Sequence, residues 1–308
     1  MNTEFLFMAI AKGTESTESA KVTRYYGIAP VYVLDINPSK EALEKLYGTT
    51  INDDPTYIGT TSDADGNEIA QVRLDFIVKT DKDKCGVDMI TKVTFFITNQ
   101  YRFNKDKSKV QVIDKYGRTA WVTKDEMKNH TIPTYSSGPA NLDKDYRPCY
   151  RGEENVTKFL KTYLGIPNPM KYVDGTWIPV DNLEDCEIRL DNIADYFKGD
   201  FSELQGAIKL QPNNKVKVLF GVKTTADNKL YQTVYTEMFL NNRATKLEAL
   251  EKDVNERKAA GAYQNIEFVI DGIREYTVEP TTFTTSNSEM PEIDSSVDTT
   301  SDIDDFPF

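Results

Sequence analysis

Apolar and polar residues alternate over several short stretches, the spacing of half-buried strands. Pro30-Val31-Tyr32-Val33-Leu34 is the first, following Tyr25-Tyr26-Gly27. Val72–Lys79 reads V-R-L-D-F-I-V-K and Lys92–Thr98 reads K-V-T-F-F-I-T. Val110–Ile113 precedes Lys115-Tyr116-Gly117-Arg118-Thr119-Ala120-Trp121, and later strands are predicted over Lys215–Lys223, Leu230–Phe239 and Ile266–Val278. β-branched and aromatic residues dominate these stretches. Polar turn clusters separate them at 63–67, 81–84, 104–109 and 226–228.

Helical spacing occurs three times. Leu43, Leu46 and Tyr47 form one face after Asn37-Pro38, with Asn37 as cap and Gly48 as stop. Val156, Phe159, Leu160 and Tyr163 form a second, ended by Gly165 and Pro167. Leu247, Leu250 and Val254 stripe a charged helix over Thr245–Ala259. Asn168–Pro212 carries Pro169, Pro179 and Pro212 and reads as irregular.

Short strands at hairpin spacing, interrupted by helices, predict a mainly β (α+β) fold. The expected architecture is an OB-fold-like five-stranded barrel with helical and loop insertions. The expected organisation is a flexible segment over 1–21, one domain over 22–283 with an insertion around 165–212, and a disordered tail over 284–308. The tail is Ser/Thr/Asp/Glu/Pro-rich and nearly devoid of core-forming residues.

Charge changes the picture more than bulk composition does. The chain of 308 residues has a net charge of −12. Seven acids and no Lys or Arg lie between Thr284 and Phe308, leaving 42 acids against 37 bases over residues 1–283. A near-balanced body with a segregated acidic tail is compatible with nucleic-acid binding. No apolar run approaches the ~20 residues of a spanning helix, and the N-terminus lacks a basic leader region. A cytoplasmic protein without membrane association is expected.

Candidate chemistry is sparse. Cys85, Cys149 and Cys186 lack the paired spacing of a zinc site, and His130 is the only histidine. Asp63, Asp65, Asn67 and Glu68 begin like a calcium loop, but position 12 falls on Leu74, so a turn is expected. No phosphate-binding loop, dinucleotide fingerprint, nucleophile elbow or zinc-protease motif occurs. The chain is therefore read as a non-enzyme without metal or cofactor.

Cations and rings do interleave. Tyr101, Arg102, Phe103, Lys105, Lys107 and Lys109 run toward Lys115, Tyr116, Arg118 and Trp121. Lys215, Lys217 and Lys223 alternate along their strand, and Tyr231 and Tyr235 follow. Single-stranded nucleic acid needs this mixture: cations for phosphates and flat rings for bases.

The C-terminus ends Asp302-Ile303-Asp304-Asp305-Phe306-Pro307-Phe308. It resembles the tip of bacterial single-stranded DNA-binding proteins, where aspartates lead into a hydrophobic residue, proline and phenylalanine. The body's length is closer to that of the bacteriophage members of this class. Tyr26-Gly27, Val33–Lys40 and Asp114–Trp121 are similar to sequences of those phage proteins. The zinc spacing of their zinc-containing versions is absent.

The resemblance implies a protein that coats single-stranded DNA in phage replication, recombination and repair, acting in the host cytoplasm. It further implies recruitment of a polymerase, helicase, primase or nuclease, with Asp302, Asp304 and Asp305 meeting partner cations and Phe306, Pro307 and Phe308 as the anchor. Alternatives are a phage structural or virion-associated protein without specific DNA binding, and a metal-dependent DNA-processing enzyme.

Overall fold

A computed structural model describes residues 24–63, 65–129, 145–225 and 230–276. The expected turn at 226–228, His130 and the acidic tail lie outside the described residues.

The long strand β1 (Arg24–Ile36) leads into α1 (Lys40–Tyr47). Ser39, rather than the expected Asn37, caps this helix, its hydroxyl accepting from the Ala42 amide, and Gly48 closes it in the left-handed region. Asn37 serves elsewhere. Its side chain donates to the Arg73 carbonyl and accepts from the Asp75 amide, tying the strand end to the next strand.

A meander follows: β2 (Ile58–Ser62), β3 (Glu68–Thr80), the short α2 (Lys82–Cys85) and β4 (Ile90–Tyr101). Between β2 and β3 the Asp63 carboxylate accepts from the amides of Asp65 and Asn67, a local turn as expected.

β5 (Lys109–Asp114), β6 (Thr119–Thr123) and β7 (Tyr146–Pro148) form a separate three-stranded sheet, with α3 (Lys124–Lys128) after β6. Lys115–Arg118, expected within a strand, is the turn between β5 and β6. The two-residue β8 (Tyr150–Arg151) returns to β4 and delivers the chain into α4 (Glu153–Leu164). Gly152 has φ 93° and sits against the Phe96 carbonyl, where any Cβ would collide, so only glycine permits this close approach.

The small hairpin of β9 (Met170–Val173) and β10 (Thr176–Pro179) precedes a 3-10 turn at Glu184–Cys186, α5 (Ile193–Tyr196) and α6 (Ser202–Lys209). Then come β11 (Val216–Thr224), β12 (Leu230–Val234), β13 (Leu240–Asn241), α7 (Glu248–Ala259), β14 (Ile266–Phe268) and β15 (Arg274–Tyr276). The last two do not pair with each other: β14 joins β11 and β15 joins β1.

The main sheet is antiparallel, in the order β12-β11-β1-β3-β4-β8. It curls into a half-barrel. Phe95 of β4 lies 5.9 Å from Phe239, which follows β12 at the far end of that order, and Phe159 of α4 contacts both rings. Among the described residues, strand pairing does not close the curl into a five-stranded barrel.

Inward residues of β1, β3, β4 and β11 meet α4, α5 and α6 in the main core, including Val31, Leu74, Phe76, Phe95, Phe159, Tyr196 and Phe220. The stretch expected as an insertion is part of this core, through Leu190, Ile193, Phe201, Leu204 and Ile208. On the opposite face, Ile28 and Leu219 pack with Leu250 and Val254 of α7. Burial on both faces explains why β11 reads as a nearly continuous apolar run. A third, small core holds Val110, Val112, Ala120, Val122 and Tyr146.

Candidate nucleic-acid interface

The end of β4 joins the two sheets. The Arg102 amide donates to the Cys149 carbonyl at 3.0 Å, and the Gln111 amide donates to the Arg102 carbonyl at 2.8 Å. Phe103 then bridges Val110. Segment 101–103 thus runs along β5 as an added strand, and alternation sends Tyr101 and Phe103 to one side and Arg102 to the other.

Three large rings are exposed here: Tyr101 and Phe103 at 42% each and Trp121 at 38%. Tyr101 leans on Tyr150 at 5.1 Å between ring centres. Arg102 lies over Trp121 at 5.7 Å and donates to Glu154 at 2.8 Å and Gln111 at 3.3 Å. A guanidinium held this way is positioned before any ligand arrives. Burial pushes the Glu154 carboxyl up, but Lys158, Gln111 and Arg102 together outweigh it and hold the carboxyl below its ordinary value. The loop that follows exposes Lys105, Lys107 and Lys109, with Lys107 3.5 Å from Asp65.

The remaining expected residues divide. Lys115 and Arg118 belong to the β5–β6 turn, roughly 20 Å along the six-residue β5 from the Lys109 end. Lys115 pairs with Glu187 at 3.0 Å, and Arg118 pairs with the buried Asp114 at 2.8 Å. Tyr116 is buried beneath both cations, so its expected stacking face is covered.

Lys215 pairs with Asp81 at 2.6 Å, and Lys217 donates to the Ala244 carbonyl. Tyr235 corrects the expectation most sharply. It is fully buried against Tyr263 and Phe268, and its hydroxyl donates to Asp253. Burial first, and Asp253 second, push that hydroxyl's pKa up. Lys223 is exposed and faces the half-buried Tyr231 across β11 and β12. This pair lies on the far strands of the sheet order, apart from the β4–β6 rings. Asp302, Asp304, Asp305, Phe306, Pro307 and Phe308 lie outside the described residues.

Two further features have no counterpart among the expected residues. Phe96 is 50% exposed on β4, opposite Arg73 of β3. In the Phe95-Phe96 pair, only the strand's register decides which ring faces the core. The β9–β10 hairpin exposes Tyr172 at 62% and Trp177 at 43%. Its signal is present in the sequence: Asp174-Gly175, both at positive φ, between Tyr172-Val173 and Thr176-Trp177, is a strong two-residue hairpin pattern.

Among the described residues no group of three or more His, Cys, Asp or Glu is placed to hold a metal ion, and no helix is long and apolar enough to cross a membrane. Neither a protein-family model, nor a curated protein, nor a solved structure matches the chain.

Proposed function

We propose that the protein binds single-stranded DNA without catalysing a reaction, coating it in phage replication and recombination, and recruits partner proteins through its acidic C-terminal tip. The observation that carries the reading is the β4–β6 edge. Tyr101 and Phe103 offer ring faces on one side of this edge and Trp121 on the Arg102 side, and the same edge carries Lys105, Lys107 and Lys109. Rings and cations in that combination suit bases and phosphates of a flexible strand.

The strand order supports an OB-type reading of the body. Taking β1, β3, β4, β11 and β12 as strands one to five gives the order 5-4-1-2-3, with α4 between the third and fourth. That order is the one an OB-type sheet would have without its closing pair, which supports the reading. The Asp-Asp-Phe-Pro-Phe terminus supports recruitment, because an apolar anchor behind carboxylates fits a pocket ringed by cations.

The test is a fluorescence anisotropy titration of labelled oligothymidine, duplex DNA and RNA at several salt concentrations. Preferential binding to the single strand, weakening linearly in log–log form with salt, is expected. Absence of binding at low salt rejects the reading, and metal-dependent cleavage of the oligonucleotide replaces it with an enzyme.

A further inference from the structure

The β9–β10 hairpin projects from the body with both faces in water. Every residue from Lys171 to Pro179 is exposed. Trp177 sits directly across from Tyr172, their ring centres 5.2 Å apart, and Val173 and Ile178 are exposed on the other face. An isolated two-stranded hairpin is marginal in water, and a pair of large rings exposed on one of its faces suits a partner's surface.

Charge selects the occupant. Residues 170–187 contain five acids and only one base, Lys171, itself 3.4 Å from Asp181. Phosphates would be repelled, which disfavours nucleic acid. The complementary surface exists on the same chain. Residues 100–109 contain four bases and one acid, beside the exposed Tyr101, Phe103 and Trp121.

We propose that the hairpin is an association arm for a second copy of this chain, docking Tyr172 and Trp177 on the neighbour's Tyr101 and Phe103, which share one side of the β4 end. Asp174 and Asp181 then face the neighbour's Lys105 and Lys107. The contact joins two different surfaces, so it is head-to-tail and repeats along a row of copies.

Sedimentation velocity of the full-length protein over a concentration series tests this. Concentration-dependent association that weakens with salt is expected. Trp177→Ala should raise the midpoint concentration for association roughly tenfold or more, the usual loss for a buried aromatic anchor. The arm and DNA share that surface, so at protein concentrations below the association midpoint the variant should leave affinity for a short oligonucleotide unchanged. Lys105→Glu with Lys107→Glu should dissociate the copies, and adding Asp174→Lys with Asp181→Lys should restore them. Circular dichroism of each variant confirms that it folds.

A wild-type protein that stays monomeric to about 100 μM, above any useful affinity, overturns the proposal. So does association indifferent to Trp177→Ala, or failure of the double charge swap to restore it in a folded protein. Loss of oligonucleotide affinity on Trp177→Ala, with association intact, makes the hairpin a nucleic-acid contact instead. Those outcomes leave the single-strand reading standing, because that reading is judged on DNA affinity alone.

Discussion

Trp121 and Tyr235 show what decides a residue's role. Both are aromatic and both are expected from the sequence to offer a stacking face, yet Trp121 shows a face to solvent while Tyr235 is enclosed by Tyr263 and Phe268. Stacking on an exposed ring contributes about 1–3 kcal/mol per base. Trp121→Ala or Phe103→Ala should therefore weaken oligothymidine binding about 5- to 150-fold. The salt slope should hardly change. Replacing Lys105, Lys107 and Lys109 by Ala should instead flatten the slope, by about 0.7 for each phosphate no longer neutralised. Anisotropy titrations at several salt concentrations separate the two, and equal effects on slope would contradict the assignment.

Glu154 gives a pH-dependent prediction at the same scale. Its folded pKa is depressed, so its contribution to stability is complete above the ordinary carboxylate pKa and is lost as pH falls through the folded value. Glu154→Gln should destabilise the protein near neutrality, and the gap to wild type should narrow on acidification. Urea unfolding of both proteins from about pH 7 to about pH 3 measures it, those limits bracketing carboxylate titration. A gap that widens on acidification would mean the carboxyl is not held by its cations.

At the level of elements, α4 and the β9–β10 hairpin are opposites. α4 buries Val156, Phe159, Leu160 and Tyr163, and Phe159 meets Phe76, Phe95 and Phe239. Phe159→Ala should cost about 3–5 kcal/mol, the usual range for truncating a buried phenylalanine. The hairpin contributes nothing to the core, and its ends meet where the Val180 amide donates to the Pro169 carbonyl at 3.0 Å. Replacing residues 170–179 by a short Gly-Ser linker should therefore leave the melting temperature within a few degrees. Differential scanning calorimetry checks both, and a large drop on hairpin removal would show that it braces the body.

For the whole molecule the prediction rests on segregated charge. The last 25 residues hold seven acids and no bases. A tethered anionic segment competes with phosphates at high local concentration, and salt screens that competition. Removing residues 284–308 should raise single-strand affinity at low salt and matter less at high salt. Removing Phe308 alone should leave DNA binding nearly intact but abolish capture of replication proteins in a pull-down, because the acidic side chains remain while the anchor is gone. Unchanged affinity at low salt after tail removal would end the competition idea.

Where a local pattern and its tertiary use agree, the chain alone was enough. Val156, Phe159, Leu160 and Tyr163 recur at helical spacing and form the buried face of α4. The alternation through 72–79 and 92–98 falls within β3 and β4, and Gly48 and Gly165 end their helices as expected. Those signals are local, carried by periodicity and backbone preference. Sequence also determined the acidic terminus and the turn character of 63–67. Only the tertiary structure decided which rings remain accessible. Tyr116 is covered by Lys115 and Arg118 of its own turn and Tyr235 by the distant Tyr263 and Phe268, while Phe96, Tyr172 and Trp177 come to the surface. It also made core of the 188–208 stretch, because helices there cover the concave face of a curled sheet. Burial depends on what packs from elsewhere in the chain, and a short-range pattern carries no record of that.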